Sequence, residues 1–143
     1  MTTGLWEVHT AIHASIKGYM MNGGHEVTPA VVEPILTWNL SGSPAVSVAL
    51  PKLRPDLTTE EGEIYQLEIW ISAVHDRSQV DETDAVRQVV KIAQILAQWY
   101  SQHGRFGGDY WQSIKWKKFS EWMRVAREPN RKAMRAVFEI YPR

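Results

Sequence analysis

Two histidines near the start of the chain are the first residues whose spacing could do chemistry. His9 and His13 stand four residues apart, which places both imidazoles on one face of a helix, where they could hold a metal ion. Catalytic zinc helices of this spacing need Glu directly after the first histidine, and Thr10 stands there instead. Because the chain has no cysteine and no obvious carboxylate partner completes a ligand set, we expect no metal site and two partly exposed histidines.

Other catalytic patterns are missing from the sequence as well. His75 and Asp76 could be two members of a hydrolytic triad, but the sequence holds no nucleophile-elbow motif. It also holds no Walker loop, no dinucleotide-binding glycine fingerprint and no EF-hand spacing. The prediction is a protein that is not an enzyme, with no catalytic residues and no cofactor.

The seven tryptophans allow two interpretations. Most are dispersed and are expected in or beside the core. Trp116 and Trp122 lie among four basic residues, namely Lys115, Lys117, Lys118 and Arg124. Basic residues interleaved with aromatic ones can bind single-stranded nucleic acid by stacking, so a small nucleic-acid-binding module is one hypothesis. The alternative is that the aromatic side chains cover a sheet or a protein interface while the lysines face water.

The net charge of zero is divided unequally along the chain. Residues 105–143 hold 10 of the 16 Lys and Arg residues but only 4 of the 16 Asp and Glu residues. A basic final third could bind phosphates. Alternatively, opposite surfaces of one subunit could meet head to tail, as subunits do in rings and filaments. The third interpretation is that the charges lie on unrelated solvated faces, because residues that cluster in sequence need not cluster in space.

The segment 63–74 alternates with period two. Apolar side chains occupy the odd positions Tyr65, Leu67, Ile69, Ile71 and Ala73. Such alternation predicts a strand with one face on a core and the other face wet. Trp70 stands on the otherwise polar face, and we expect a partner to cover it.

A long helix is predicted to begin in the acidic run 81–84 and to end near Ser101. Its core stripe comprises Val86, Val89, Val90, Ala93, Leu96, Ala97 and Tyr100. Ile92, Ile95 and Trp99 widen the apolar arc to more than half of the helix. One small sheet cannot cover that arc, so we expect this flank to meet either the first helix or another subunit.

The remaining segments complete an α+β pattern. We expect a helix from Thr2 or Thr3 to Gly23, short strands at 35–40 and 45–50, an exposed acidic loop at 56–63, and a C-terminal hairpin. The hairpin turn is placed at 128–131, with Val125 opposite Met134, and a bulge is expected near Lys117. The fold class is therefore α+β: a mostly antiparallel sheet of four to five strands, with the N-terminal and long central helices on one face.

The order of these elements resembles that of the tail terminator proteins of tailed bacteriophages. The residues that carry the resemblance are Tyr65–Ile71, Asp81–Tyr100 and Ala133–Tyr141, and the resemblance spans nearly the whole chain as one domain, 1–143. It implies a structural virion protein of the tail or neck, made in the host cytoplasm. Such a protein forms a homohexameric ring that caps the tail tube and joins it to the head.

The resemblance also implies partners. They are further copies of the chain, the tail tube protein and a head-completion or neck protein, with no membrane, and nucleic acid only as DNA passing through the ring. The apolar residues expected at subunit or ring contacts are Trp70, Ile92, Ile95 and Trp99. The charged residues expected there are Glu60, Glu61, Arg124, Arg127 and Arg135.

Overall fold

The computed structural model describes residues 4–36, 42–58, 60, 62–75, 82–107, 109–119, 123–125 and 128–142. Two helices, α1 (Leu5–Asn22) and α2 (Glu82–Trp99), lie within these ranges, and a π-helical turn (Tyr100–Gly104) follows α2. The strands are β1 (Val31–Glu33), β2 (Ala45–Val48), β3 (Lys52–Leu53), β4 (Tyr65–Val74), β5 (Trp111–Phe119), β6 (Met123–Val125) and β7 (Glu128–Pro142).

The strands form one mixed sheet in the order β1-β2-β4-β7-β5. The short strands β3 and β6 pair with β4 and β7. Only β1 and β2 run parallel among the described pairs. The α+β class is confirmed, and the described sheet has more strands than the expected four to five because these short segments add to it.

The core lies between the sheet and the two helices. Leu67, Ile69 and Ile71 of β4 and Phe138 and Ile140 of β7 are buried, because alternate side chains of both strands point to the helix side. The pairing of Leu67 with Phe138 and of Ile69 with Ala136 sets this register. The period-two interpretation of residues 63–74 is therefore confirmed.

The N-terminal helix buries one apolar stripe. Val8, Ile12, Ile16 and Met20 are fully buried, as expected from their spacing. The expected strand at 35–40 is wrong where residues are described: β1 ends at Glu33, before Pro34, since proline cannot continue a hydrogen-bonded ladder.

The C-terminal strands confirm one expectation and correct another. The register between β5 and β7 shifts between Trp116 and Lys118, which is the expected bulge. The predicted hairpin register is wrong, because Val125 pairs with Glu128 and Met123 with Ala133. Residues 128–131 belong to β7 and form a strand instead of the expected turn.

The π-helical turn after α2 requires glycine at its last residue. The N–H of Arg105 donates to the carbonyl oxygen of Tyr100 at 2.7 Å, which closes a wider ring than that of an α-helix. Gly104 is buried against the indole of Trp99: a Cβ added there would lie 2.8 Å from the ring atom Cζ3. Glycine is needed at this position because the ring leaves no space for a side chain.

Candidate interaction surfaces

The two histidines of α1 hold the helix to the sheet. His9 Nε2 lies 3.0 Å from the carbonyl oxygen of Val48, and His13 Nε2 lies 2.8 Å from that of Val32. His9 is 1% exposed, so the expectation of a partly exposed side chain is wrong for this residue. Both imidazoles link the helix to strands β2 and β1, and no group of His, Asp or Glu residues in the described ranges could hold a metal ion.

Replacement of His9 tests this structural role. His9→Ala removes a buried hydrogen bond and leaves the carbonyl of Val48 without its partner, so we expect the free energy of unfolding to fall by about 2 kcal/mol. Urea denaturation followed by circular dichroism measures the loss. The exposed neighbour variant Thr10→Ala is the control and should change stability by less than about 0.5 kcal/mol; an equal effect of both variants would contradict the role.

The flank of α2 expected at a subunit contact is buried within the chain. Ile92 and Trp99 have no exposed surface and Ile95 is 6% exposed. The indole N–H of Trp99 donates to Ser15 Oγ at 2.9 Å, on helix α1, which packs beside α2. Of the two partners expected for this flank, the first helix is the one that Trp99 contacts. Because all three side chains are buried within the chain, they offer almost no surface to another subunit.

The side of the apolar α2 stripe that contains Val90 is exposed instead. Val90 is 40% exposed, although it belongs to the stripe expected to lie on the sheet. It forms one wall of an open groove of about 250 Å³ between α2 and the strands. We call this the α2 groove, and its apolar lining consists of Val90, Ala93, Ala97, Trp116, Phe119 and Met134.

A second apolar surface lies on the other side of β4. We call it the β2–β3 patch and define it by Ile35, Leu36, Ala49 and Leu50, which line a cleft of about 350 Å³ together with Lys52, Gln66 and Glu68. Ile35 and Leu50 are each 48% exposed. Since β2 and β3 pair on one side of β4, and β7 and β5 follow on the other, the two surfaces are at opposite sides of the sheet.

Trp70 already has partners in the chain. The guanidinium of Arg135 lies 5.5 Å from the centre of its ring, and its indole N–H donates to Glu68 Oε2 at 3.3 Å. Arg135 also pairs with Glu68 at 3.1 Å. The interpretation of Trp70 as an unpartnered side chain is wrong, because its polar neighbour on β4 and the opposite residue of β7 enclose it. Contact of Trp70 or Arg135 with another subunit stays a prediction.

The unequal charge along the sequence is partly balanced by pairing in the fold. Lys132 lies 2.7 Å from Glu82 of α2, and Lys117 lies 3.8 Å from Glu139. With the Arg135 pair, three basic residues of the last third meet carboxylates. These pairs reduce the positive charge that the described residues of β5 and β7 can offer to phosphates.

The other charged residues expected at subunit or ring contacts are Glu60, Glu61, Arg124 and Arg127. Glu60 is exposed. Glu61 and Arg127 lie outside the described residues, and for Arg124 only the backbone is described, paired with Lys132. In the same acidic loop Arg54 donates to both carboxylate oxygens of Asp56, at 3.0 and 2.7 Å, which holds the pKa of Asp56 below its usual value.

The described residues thus form an α+β fold in which the α2 groove and the β2–β3 patch are uncovered apolar surfaces. Among the described helices none is long and apolar enough to cross a membrane.

The chain is similar in structure to a chain of a virion particle. No family model matches the chain, and no curated protein matches it. A chain in the structure of the virion of a native gene transfer agent particle superposes with a TM-score of 0.44 and 14% identity, over 92% of this chain and 96% of that chain.

Proposed function

We propose that this protein is a structural virion component that assembles into a ring at the end of a phage-type tail, in the manner of a tail terminator. The observation that carries the proposal is the pair of uncovered apolar surfaces at opposite sides of one sheet. The order of elements, which resembles that of tail terminators, supports the same role. In this proposal the ring has six subunits and contacts the tail tube protein on one side and a neck protein on the other.

Two different surfaces imply a head-to-tail contact. A symmetric dimer would use the same patch twice, whereas the α2 groove and the β2–β3 patch are two different surfaces, with exposed Val90 in the first and exposed Ile35, Leu36 and Leu50 in the second. When the groove of one subunit takes the patch of the next, each subunit has one surface left for a further subunit. Repetition of that contact generates a ring if the rotation closes.

A charge placed in the α2 groove should prevent assembly. Ala97 is exposed in the groove wall, so Ala97→Glu would bury a carboxylate in an apolar contact, at a cost of about 3 kcal/mol or more. We expect the association constant to fall by at least about 100-fold. Size-exclusion chromatography with light scattering, or native mass spectrometry, measures the change in oligomer mass.

Gln98→Glu is the matched control, because it adds the same charge one residue further along α2, where the side chain faces Tyr19. It should leave the oligomer mass unchanged. Identical oligomer masses for wild type and Ala97→Glu would contradict assembly through the α2 groove, and a wild-type chain that is monomeric at all concentrations would contradict ring assembly.

Mixing two variants distinguishes head-to-tail from symmetric contact. Leu50→Glu in the β2–β3 patch should also give monomers, but it keeps an intact α2 groove. A mixture with Ala97→Glu should therefore form one-to-one dimers and nothing larger, because only one pair of intact surfaces remains. Failure to form mixed dimers would refute contact between these two surfaces.

The place of the ring in a particle needs a separate test. Deletion of the gene from a particle-producing strain should yield tail tubes of uncontrolled length that do not join heads. An antibody against this chain should label the head-proximal end of intact tails in electron micrographs. Labelling along the tube or at the distal tip would exclude the terminator role while leaving ring assembly intact.

A further inference from the structure

Strand β5 lies at the end of the sheet, and among the described residues no strand pairs with its outer side. It extends over nine residues, Trp111–Phe119. A long free edge presents backbone N–H and C=O groups that can pair with another chain, so proteins usually protect such edges.

One tyrosine side chain occupies this edge. The hydroxyl of Tyr100 accepts the N–H of Trp116 at 3.1 Å and donates to the carbonyl oxygen of Ile114 at 3.0 Å. Because these two backbone groups bond to a side chain, they point away from β7. The hydroxyl therefore satisfies one donor and one acceptor, as a neighbouring strand would.

The position of Tyr100 follows from the helix end and from ring contacts. It is the first residue of the π-helical turn. Its ring meets Trp116 edge to face at 5.6 Å between centroids and Phe138 at 5.7 Å. These contacts fix the ring over β5 and β7, so the hydroxyl is held at the edge without depending on its own hydrogen bonds.

We infer that the free edge of β5 is an interaction surface that fits the same strand of a second copy, and that Tyr100 keeps it closed. If two β5 edges met antiparallel with Lys115 opposite Lys115, the Trp116 N–H of each copy would reach the Ile114 oxygen of the other. The pairing would use the two groups that Tyr100 now satisfies. Lys115 is exposed and strengthens the protection, since like charges directly opposite each other repel.

Hydrogen exchange tests whether the Tyr100 hydroxyl protects the edge of β5. Tyr100→Phe keeps both ring contacts and removes only the hydroxyl, so the fold is retained. In dilute protein the amide of Trp116 should exchange about tenfold faster than in wild type, as expected for the loss of one hydrogen bond. The amide of Lys115, which pairs with Glu139 of β7, should exchange at its wild-type rate.

Crosslinking tests the identity of the partner. The chain contains no cysteine, so Lys115→Cys provides one thiol at the centre of the expected pairing. Directly opposite residues in such a pair bring their Cβ atoms within about 5 Å, close to disulfide distance. Disulfide dimers should form at least about tenfold faster when Tyr100→Phe is added to Lys115→Cys.

Tyr19→Phe combined with Lys115→Cys is the control, because the hydroxyl of Tyr19 meets Gln98 on α2 and not β5. It should not accelerate dimer formation. Unchanged Trp116 exchange in Tyr100→Phe would overturn the capping role, and faster exchange without faster crosslinking would overturn the second copy as partner. Neither outcome depends on ring assembly, because every rate is compared with that of the wild-type tyrosine in the same oligomer.

Discussion

Trp99→Ala is expected to lower the free energy of unfolding by about 3–5 kcal/mol, the largest effect predicted for this chain. Trp99 lies at the end of α2, contacts Ser15 of α1 and has the largest fully buried side chain among the described residues. The variant loses that apolar burial and also leaves Ser15 without the indole N–H it accepts. Since small domains have only about 5–15 kcal/mol of stability in total, much of the population should unfold near 37 °C.

The matched control for this prediction is Trp6→Ala. Trp6 is 64% exposed, so its removal should change stability by less than about 0.5 kcal/mol. Guanidinium denaturation of the two variants measures the difference. If both tryptophans contributed equally, Trp99 could not be the side chain that joins the helices. The loss of stability in Trp99→Phe should lie between the losses in Trp99→Ala and Trp6→Ala, because phenylalanine keeps a ring but cannot donate the hydrogen bond.

Gly104→Ala is expected to destabilise the chain by about 1–3 kcal/mol through overpacking. The added methyl group would lie 2.8 Å from Cζ3 and 2.9 Å from Cη2 of the Trp99 ring. A flexible side chain could move away, but this ring is rigid, buried and fixed by Ser15. The backbone of the π-helical turn would therefore have to shift, and thermal denaturation should report a lower midpoint.

Gly18→Ala in α1 is the control and should stabilise the chain instead of destabilising it. A Cβ there would meet no atom within 4 Å, so the gain in helix propensity should stabilise the chain by about 0.5–1 kcal/mol. The double variant Gly104→Ala with Trp99→Phe sharpens the test, because Phe lacks the ring atoms that clash. The double variant should lose less stability than the two single variants together. Strict additivity of the two losses in unfolding free energy would contradict the proposed clash.

The sequence predicted the width of the apolar arc on α2 but not which of its sides would be covered. Periodicity of 3.6 residues shows which side chains share a face, and Ile92, Ile95 and Trp99 do form one flank. The partner of each flank depends on where α1 docks, which is a contact across 84 residues between Ser15 and Trp99. No local pattern encodes that position, so the uncovered side proved to be the one near Val90.

The C-terminal hairpin shows the same limit at shorter range. The bulge beside Lys117 could be predicted because Ile114, Trp116 and Phe119 change parity while all need the core face. The turn could not, because Pro129 is as compatible with a strand bulge as with a turn. The register shifts between Arg124 and Val125, which is where that bulge lies.

The candidate surfaces depended least on sequence patterns. Trp70 and Arg135 were singled out separately as exposed contacts, and the β4–β7 register places them directly opposite each other. Their mutual contact follows from strand pairing, which one sequence does not reveal. The α2 groove is likewise defined by a helix and two strands that are distant in the chain.

The place of β7 in the sheet sets the order in which the protein can be made. This strand follows every other element in the sequence, yet it lies between β4 and β5 and pairs with both. During translation, β5 has no neighbour and β4 is open on one side until residues 128–142 leave the ribosome. The nascent chain must therefore remain soluble with β5 unpaired and one edge of β4 open, and closure of the sheet is expected as a late step of its biogenesis.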